Sequence, residues 1–506
     1  MSSDKIADLD TVGRRSAAVR LAGKKVVHCH GTFDLMHAGH IRHLQRAATL
    51  GDLLVVTLTA DRFVNKGPER PVFNQELRAG SLAALACVDL VAISDEATGM
   101  AAIEAIRPDY YVKGGEYRHP GDDVTGNIAP ETALVKQYGG EIRFTEEITF
   151  SSTKLLNDFF GLFPEETREY LGALRQDYRP DEVITMIRGL SQLRVLVLGD
   201  AIIDEYHYTS PLGQTGKGNV LSVRYDSGEL FAGGAMAVAN HLSGFVQEVT
   251  LVTALGTKES FEPFIRSRLQ ANVEPHFFYR DDDQTLVKRR FVDPDMAKLF
   301  EVYLYGDRPL PATTEQQVLQ WLEQEIEHFD LVLVPDFGNG FITAAMVERL
   351  GRSTPFLAVN TQINSGNRGF HAITRYPRAD FISLNEPELR LASHDRSSDL
   401  ETLAAQVMSR LGAQFLTVTR GTRGVLFNRK EGGNHTVPAL STSVVDRIGA
   451  GDAFLSLAAL ALAGGLPDRL CSFIGSAAAA LEVQTVCNRE PVGAVALYKY
   501  IGTLLK

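Results

Sequence analysis

The sequence predicts an α/β protein built from two α/β units joined by a helical connector. Three observations carry this. Val26-Val27, Ile41–Leu50 and Leu53–Leu58 read as strand, helix and strand within about 35 residues, a βαβ unit that implies a parallel sheet. A fresh pattern of the same kind opens at Val195–Asp200 and resumes at 331–334, 356–359, 381–384 and 415–419. Between them, 220–225, 285–293 and 299–304 have β-type composition without long helices, which predicts a small side sheet over a larger α/β core.

In chain order, residues 1–23 are polar and mixed, an arm or a short helix. Further strands at Leu90–Ile93 and Tyr110–Val112 complete a small doubly wound sheet, and the first unit spans 24–158. In 159–190, Leu162, Tyr170, Leu171, Leu174, Val183, Ile184 and Ile187 keep helical spacing, and Pro180 breaks this connector into two helices. The second unit takes 191–506.

Composition narrows the function. A chain of 506 residues has room for roughly two to four domains. A net charge of −11 disfavours a nucleic-acid surface, which needs clustered Lys and Arg. Cys29, Cys87, Cys471 and Cys487 form no Cys-x-x-Cys pair and read as reduced cysteines of a cytoplasmic protein, with no zinc ligand set. The first residues lack an apolar leader, and the small-residue run Ala453–Gly464 is too short to span a bilayer, so no membrane insertion is expected.

His37-Ala38-Gly39-His40 lies between a glycine loop and a helix start. Two imidazoles three residues apart face one anion across the first turn, and the helix N-terminus adds open N–H groups. Such a site suits the charge that builds on a phosphate under attack. The stretch Gly31–His40 resembles the signature of the cytidylyltransferase-like nucleotidyltransferase superfamily. Lys66–Pro71 and Val112–Tyr117 resemble segments of the adenylyltransferase half of bacterial ADP-heptose synthesis enzymes, and Ser151-Ser152-Thr153 resembles a late motif of the superfamily. The resemblance implies His37 and His40 as catalytic residues, and Thr32, Phe33, Lys66, Lys113, Ser152 and Thr153 as nucleotide or phosphate contacts. It further implies attack of a sugar phosphate on the α-phosphate of a nucleoside triphosphate, with Mg²⁺ bridging the triphosphate.

The second signature is Asp446-Arg447-Ile448-Gly449-Ala450-Gly451-Asp452, ahead of an apolar helix. Gly449, Ala450 and Gly451 let backbone N–H groups converge on an anion, and Asp452 is placed to take the proton of an attacking hydroxyl. This unit resembles the ribokinase-like (PfkB) carbohydrate kinases over 194–506. By that resemblance Gly199–Asp204 is the opening strand with the sugar-binding Asp204, and Gly233-Gly234 is the di-glycine on the sugar side. Asn385 and Glu388 of Asn-x-x-Glu organise Mg²⁺ through water, and Thr419, Gly421 and Gly424 belong to the nucleotide-side loop. Gly213–Gly218 lacks the residues of a P-loop and reads as a lid loop.

The chain also departs from its resemblances. Ala237 and Val238 stand where the kinases usually carry Asn. Asn339 replaces a basic residue of the heptose kinases, Asn360-Thr361-Gln362 replaces their Asp-Pro-Lys, and the domain order is reversed. The expectation is a bifunctional enzyme that phosphorylates a sugar or sugar phosphate with ATP and transfers AMP or CMP from a second NTP to a sugar phosphate. Its partners are those small molecules, with a homodimer through the kinase lid. The alternative is an alditol-phosphate cytidylyltransferase fused to an unrelated or degenerate kinase domain.

Overall fold

The structure is a computed structural model that describes every residue except 1–2, 65–69, 116–125, 146–162, 217, 307, 368 and 442. The chain divides into two compact units, Met1–Pro164 with Tyr498–Lys506, and Glu165–Leu497.

The smaller unit holds β1 (Val26–Gly31), β2 (Leu53–Thr59), β3 (Leu90–Ser94), β4 (Tyr110–Gly114) and β5 (Glu141–Thr145). They form one parallel sheet in the order β3-β2-β1-β4-β5. The order reverses between β1 and β4, and in such sheets the crevice at the carboxyl ends of those two strands takes the ligand. Both the Gly31–His40 stretch and Lys113 are thereby delivered to one place. Val27, Val56, Leu58 and Val91 are fully buried in the strands, as a parallel sheet covered by helices requires. The arm at the N-terminus contains a helix, Leu9–Leu21, capped by Asp8, whose carboxylate accepts from Thr11 N at 2.7 Å.

In the larger unit, helices Glu165–Asp177 and Pro180–Gly189 come first, divided at Pro180. The main sheet contains β6 (Val195–Leu198), β9 (Val249–Gly256), β10 (Val273–Arg280), β13 (Leu331–Asp336), β14 (Leu357–Thr361), β15 (Phe381–Asn385), β16 (Phe415–Thr419), β17 (Val425–Arg429) and β18 (His435–Val437). Its order is β10-β9-β6-β13-β14-β15-β16-β17-β18, parallel up to β16 and antiparallel beyond. The other sheet holds β7 (Ala201–Gln214), β8 (Leu221–Gly234), β11 (Leu286–Val292) and β12 (Lys298–Leu304), ordered β12-β11-β7-β8.

One sequence expectation is corrected here. The stretch around Gly199–Asp204 is not one opening strand: β6 ends at Leu198 in the main sheet and β7 begins at Ala201 in the side sheet. β7 then runs to Gln214, because its far half pairs with β8 in an exposed hairpin where polar residues cost nothing. The strand order reverses at β6 and β13, so Asp200 and Asp336 meet at the carboxyl ends of those strands, beside the root of the side sheet. No helix among the described residues is long and apolar enough to cross a membrane.

Candidate functional site

In the smaller unit the helix Ala38–Ala48 begins with His37 as its N-cap, whose Nδ1 accepts from Gly39 N at 3.1 Å. An accepting Nδ1 places the ring proton on Nε2, which leaves that nitrogen as a donor. The His37 and His40 rings stack with centroids 3.9 Å apart and planes 25° apart, so they share one face. Phe33, with left-handed backbone at φ 48°, packs its buried ring edge-on against His40, 5.6 Å between centroids. It backs the imidazole rather than opening to solvent.

Several groups that local reading missed hold this crevice. Arg78 is 1% exposed and donates to the carbonyls of Thr32, Thr59 and Phe73 and to Asp61, clamping the loop that contains Thr32. Asp34 pairs with Arg70 at 2.6 Å. Lys113 pairs at 3.0 Å with Glu131, whose carboxylate also accepts from Tyr111 Oη and Gly99 N. Burial, with the Lys113 charge adding to it, pushes His30 down to about 3 and His43 to about 4, so both are neutral. Lys66, Ser152 and Thr153 lie outside the described residues.

In the larger unit the helix Ala450–Ala463 places Asp452 in its first turn, and its first N–H groups have no intrahelical acceptors. Gly449 precedes it at φ 91°; a Cβ there would lie 2.4 Å from Asn488 Oδ1 and 2.8 Å from Glu482 Oε1. Among the described residues no cation forms an ion pair with Asp452. Burial, then the charge of Asp204, raises its carboxyl to about 7, with Lys288 pulling the other way and Glu388 adding to the rise.

Asp204 is 4% exposed and ion-paired with Arg290 of β11. A Cβ on Gly233 would lie 1.9 Å from Asp204 Oδ2, so glycine is required where β8 passes that carboxylate. Gly234 follows directly, opposite Ala201 in the ladder, and caps the helix Ala235–Ser243. Tyr206, two residues along β7, donates to Asp446 Oδ2 at 2.6 Å, and Asp446 also accepts from Ile448 N and Cys487 N. The side sheet is thus tied to the start of the glycine turn. The sequence signal for this cationic strand was the run Lys288-Arg289-Arg290 in a β-type stretch.

Asn385, Thr419 and Gly421 line one cavity of about 890 Å³, together with Arg390, Arg396, Arg420 and Arg423. That volume suits a nucleotide. Gly424 closes the same loop, accepting from Arg420 N at 2.8 Å. Asn385 and Glu388 form a reciprocal capping box at the start of the helix Glu386–Ser393. Glu388 Oε2 accepts from Asn385 N at 2.8 Å and Oε1 from Ile363 N at 3.2 Å, and burial raises its carboxyl to about 7.

Residues 192–492 match the family described as pfkB family carbohydrate kinase. The chain belongs to that family. Residues 28–155 match the cytidylyltransferase-like family. The curated proteins named "Bifunctional protein HldE" of Geobacter sulfurreducens and Geotalea uraniireducens are 39% and 42% identical over 165 and 154 residues. Each match spans about a third of this chain and a third of the relative (32% and 30%). Among solved structures, phosphofructokinase-2 from Escherichia coli aligns with a TM-score of 0.50 at 14% identity, covering 62% of this chain and all of that one, a likeness of fold. The carbohydrate-kinase unit has no cluster of three His, Cys, Asp or Glu side chains disposed for a metal among its described residues. With both Glu388 oxygens already accepting backbone hydrogens, its residues fit a hydrated Mg²⁺ carried in on the phosphates rather than a protein cage.

Proposed function

We propose that the chain is a bifunctional enzyme: the larger unit phosphorylates a sugar or sugar phosphate with ATP, and the smaller transfers AMP or CMP from a nucleoside triphosphate to a sugar phosphate. The observation that carries the reading is Asp452, half-buried at a helix tip, without an ion-paired cation among the described residues and with a proton affinity matched to neutral pH.

In the kinase unit Asp204 orients the acceptor and Asp452 takes the proton from its hydroxyl. The open N–H groups of the Gly449–Gly451 turn receive the charge on the transferring phosphoryl. Asn385 and Glu388 would hold a hydrated Mg²⁺, which would supply neutralisation of phosphate charge. In the transferase unit the stacked His37 and His40 donate to the α-phosphate, Thr32 and Phe33 support that face, and Lys113 exchanges Glu131 for a phosphate. Lys66, Ser152 and Thr153 are assigned to the triphosphate by resemblance alone. The HldE relatives, named as bifunctional, support two activities in one chain. The product would be a nucleotide-activated sugar made in the cytoplasm.

Exposed Leu212, Val220, Leu221 and Tyr225 at the tip of the β7–β8 hairpin support a homodimer closed through this sheet, which a monomeric mass by light scattering would exclude. The test of function is mass spectrometry of products from sugars and sugar phosphates with ATP and CTP. Asp452→Asn should abolish ATP-dependent phosphorylation while leaving nucleotidyl transfer; phosphorylation at the native rate would remove Asp452 from the mechanism.

A further inference from the structure

One buried cation of the larger unit has no ion-pair or hydrogen-bond partner among the described residues. Lys288 sits in mid-β11, 4% exposed, directly across the ladder from Asp204. The neighbouring arginines are engaged: Arg289 pairs with Glu205 at 2.7 Å, and Arg290 bridges Asp204 and Glu301. Among the described residues, no carboxylate is within ion-pair distance of Lys288 Nζ and no acceptor takes its hydrogens. The ammonium lies 5.5 Å from the Tyr303 ring centroid and 5.6 Å from that of Phe337. Burying an ammonium with unused N–H donors is costly, and ring faces return only part of that cost.

The position of this charge says what completes it. Lys288 is in electrostatic reach of Asp204, Asp200 and Glu301, and Asp452 in turn feels Lys288. It therefore stands among the acidic groups that surround the acceptor, away from the arginine-lined cavity on the nucleotide side. Phe337, beneath it, belongs to the loop that carries Asn339, whose buried Nδ2 also lacks an acceptor. Asn339 brings a donor but no charge. The cation for this face comes from the side sheet instead.

We propose that Lys288 binds the acceptor, its ammonium receiving an anionic substituent of the sugar whose hydroxyl Asp452 deprotonates. This rests on the kinase reading above. The test is calorimetric titration of the full-length protein, without nucleotide, with mannose, mannose 6-phosphate and mannuronate; the two anionic sugars separate phosphate from carboxylate recognition. Wild type should bind at least one anionic sugar more tightly than mannose. Lys288→Met should weaken that binding roughly ten- to hundredfold and leave mannose within about twofold, while Lys288→Arg retains the preference. If Lys288→Met does not fold, Lys288→Gln makes the same comparison. Equal weakening for all three sugars, no charge preference in wild type, or no binding of either anionic sugar overturns the proposal. ADP release by Asp452→Asn tests the base separately from these titrations, so a failed base assignment and a failed cation assignment give different results.

Discussion

The pH dependence of the kinase reaction should be set by Asp452, and its two charged neighbours should move it in opposite directions. A general base works only when ionised. Burial first, and Asp204 second, raise the Asp452 carboxyl to about 7. With that value, about a tenth of the enzyme is ionised at pH 6 and about nine tenths at pH 8, so kcat/KM should rise about tenfold between them. An Asp at its ordinary value would leave the profile flat across that range. Asp204→Asn removes a negative charge that raises the pKa, so the acid limb should move to lower pH, on a reduced maximum because Asp204 is also the residue proposed to orient the sugar. Lys288→Met removes a positive charge that lowers it, so the limb should move to higher pH. Glu388 raises it as well and stays constant in both variants. The assay is ADP release measured over about pH 5.5–8.5, with wild type and both variants sharing one nucleotide so that its own titration cancels in the comparison. A flat wild-type profile, or two variants shifted in the same direction, would refute the reasoning.

Three further outcomes are expected. Gly449→Ala forces a side chain into left-handed backbone at a cost of at least ~1–2 kcal/mol and drives Cβ into Asn488 Oδ1, so melting temperature and kinase rate should fall together; an unchanged kinase rate would show that the turn does not shape the site. Arg78→Met strands the buried carbonyls of Thr32 and Thr59 and should cost ~3–5 kcal/mol in denaturant unfolding of the smaller unit, with loss of nucleotidyl transfer; a loss under 1 kcal/mol would mean the loop holds itself. His40→Ala should lower nucleotidyl transfer by ~10²–10³ and spare phosphorylation, checked by pyrophosphate and ADP release from the same preparation.

Much of both sites was legible because its signals are local. The turn at Gly449 and Asp452 three residues later lie within one helical turn, and so do His37 and His40, whose spacing alone puts both rings on one face. The parallel strands of both main sheets were legible from runs such as Leu331–Val334, since a strand buried on both faces has little room for polar residues. What could not be read were groups whose partners lie far along the chain. Arg78 looks like one more charge on a helix until it is found holding Thr32, and nothing near Lys113 in the chain shows that Glu131 lies 3.0 Å from it. Gly199–Asp204 looked like one strand because composition does not say in which sheet a residue pairs.

The amino-acid order alone determined the two α/β units and the two helix tips that follow glycine turns, since periodicity and turn chemistry act over a few residues. Only the tertiary structure decided which charges surround Asp452. The pairing of β7 with β11 sets Lys288 beside Asp204 across 84 positions of chain, and Tyr206 reaches Asp446 across 240. Strand register and burial, not sequence neighbourhood, set the distances and the dielectric through which those charges act.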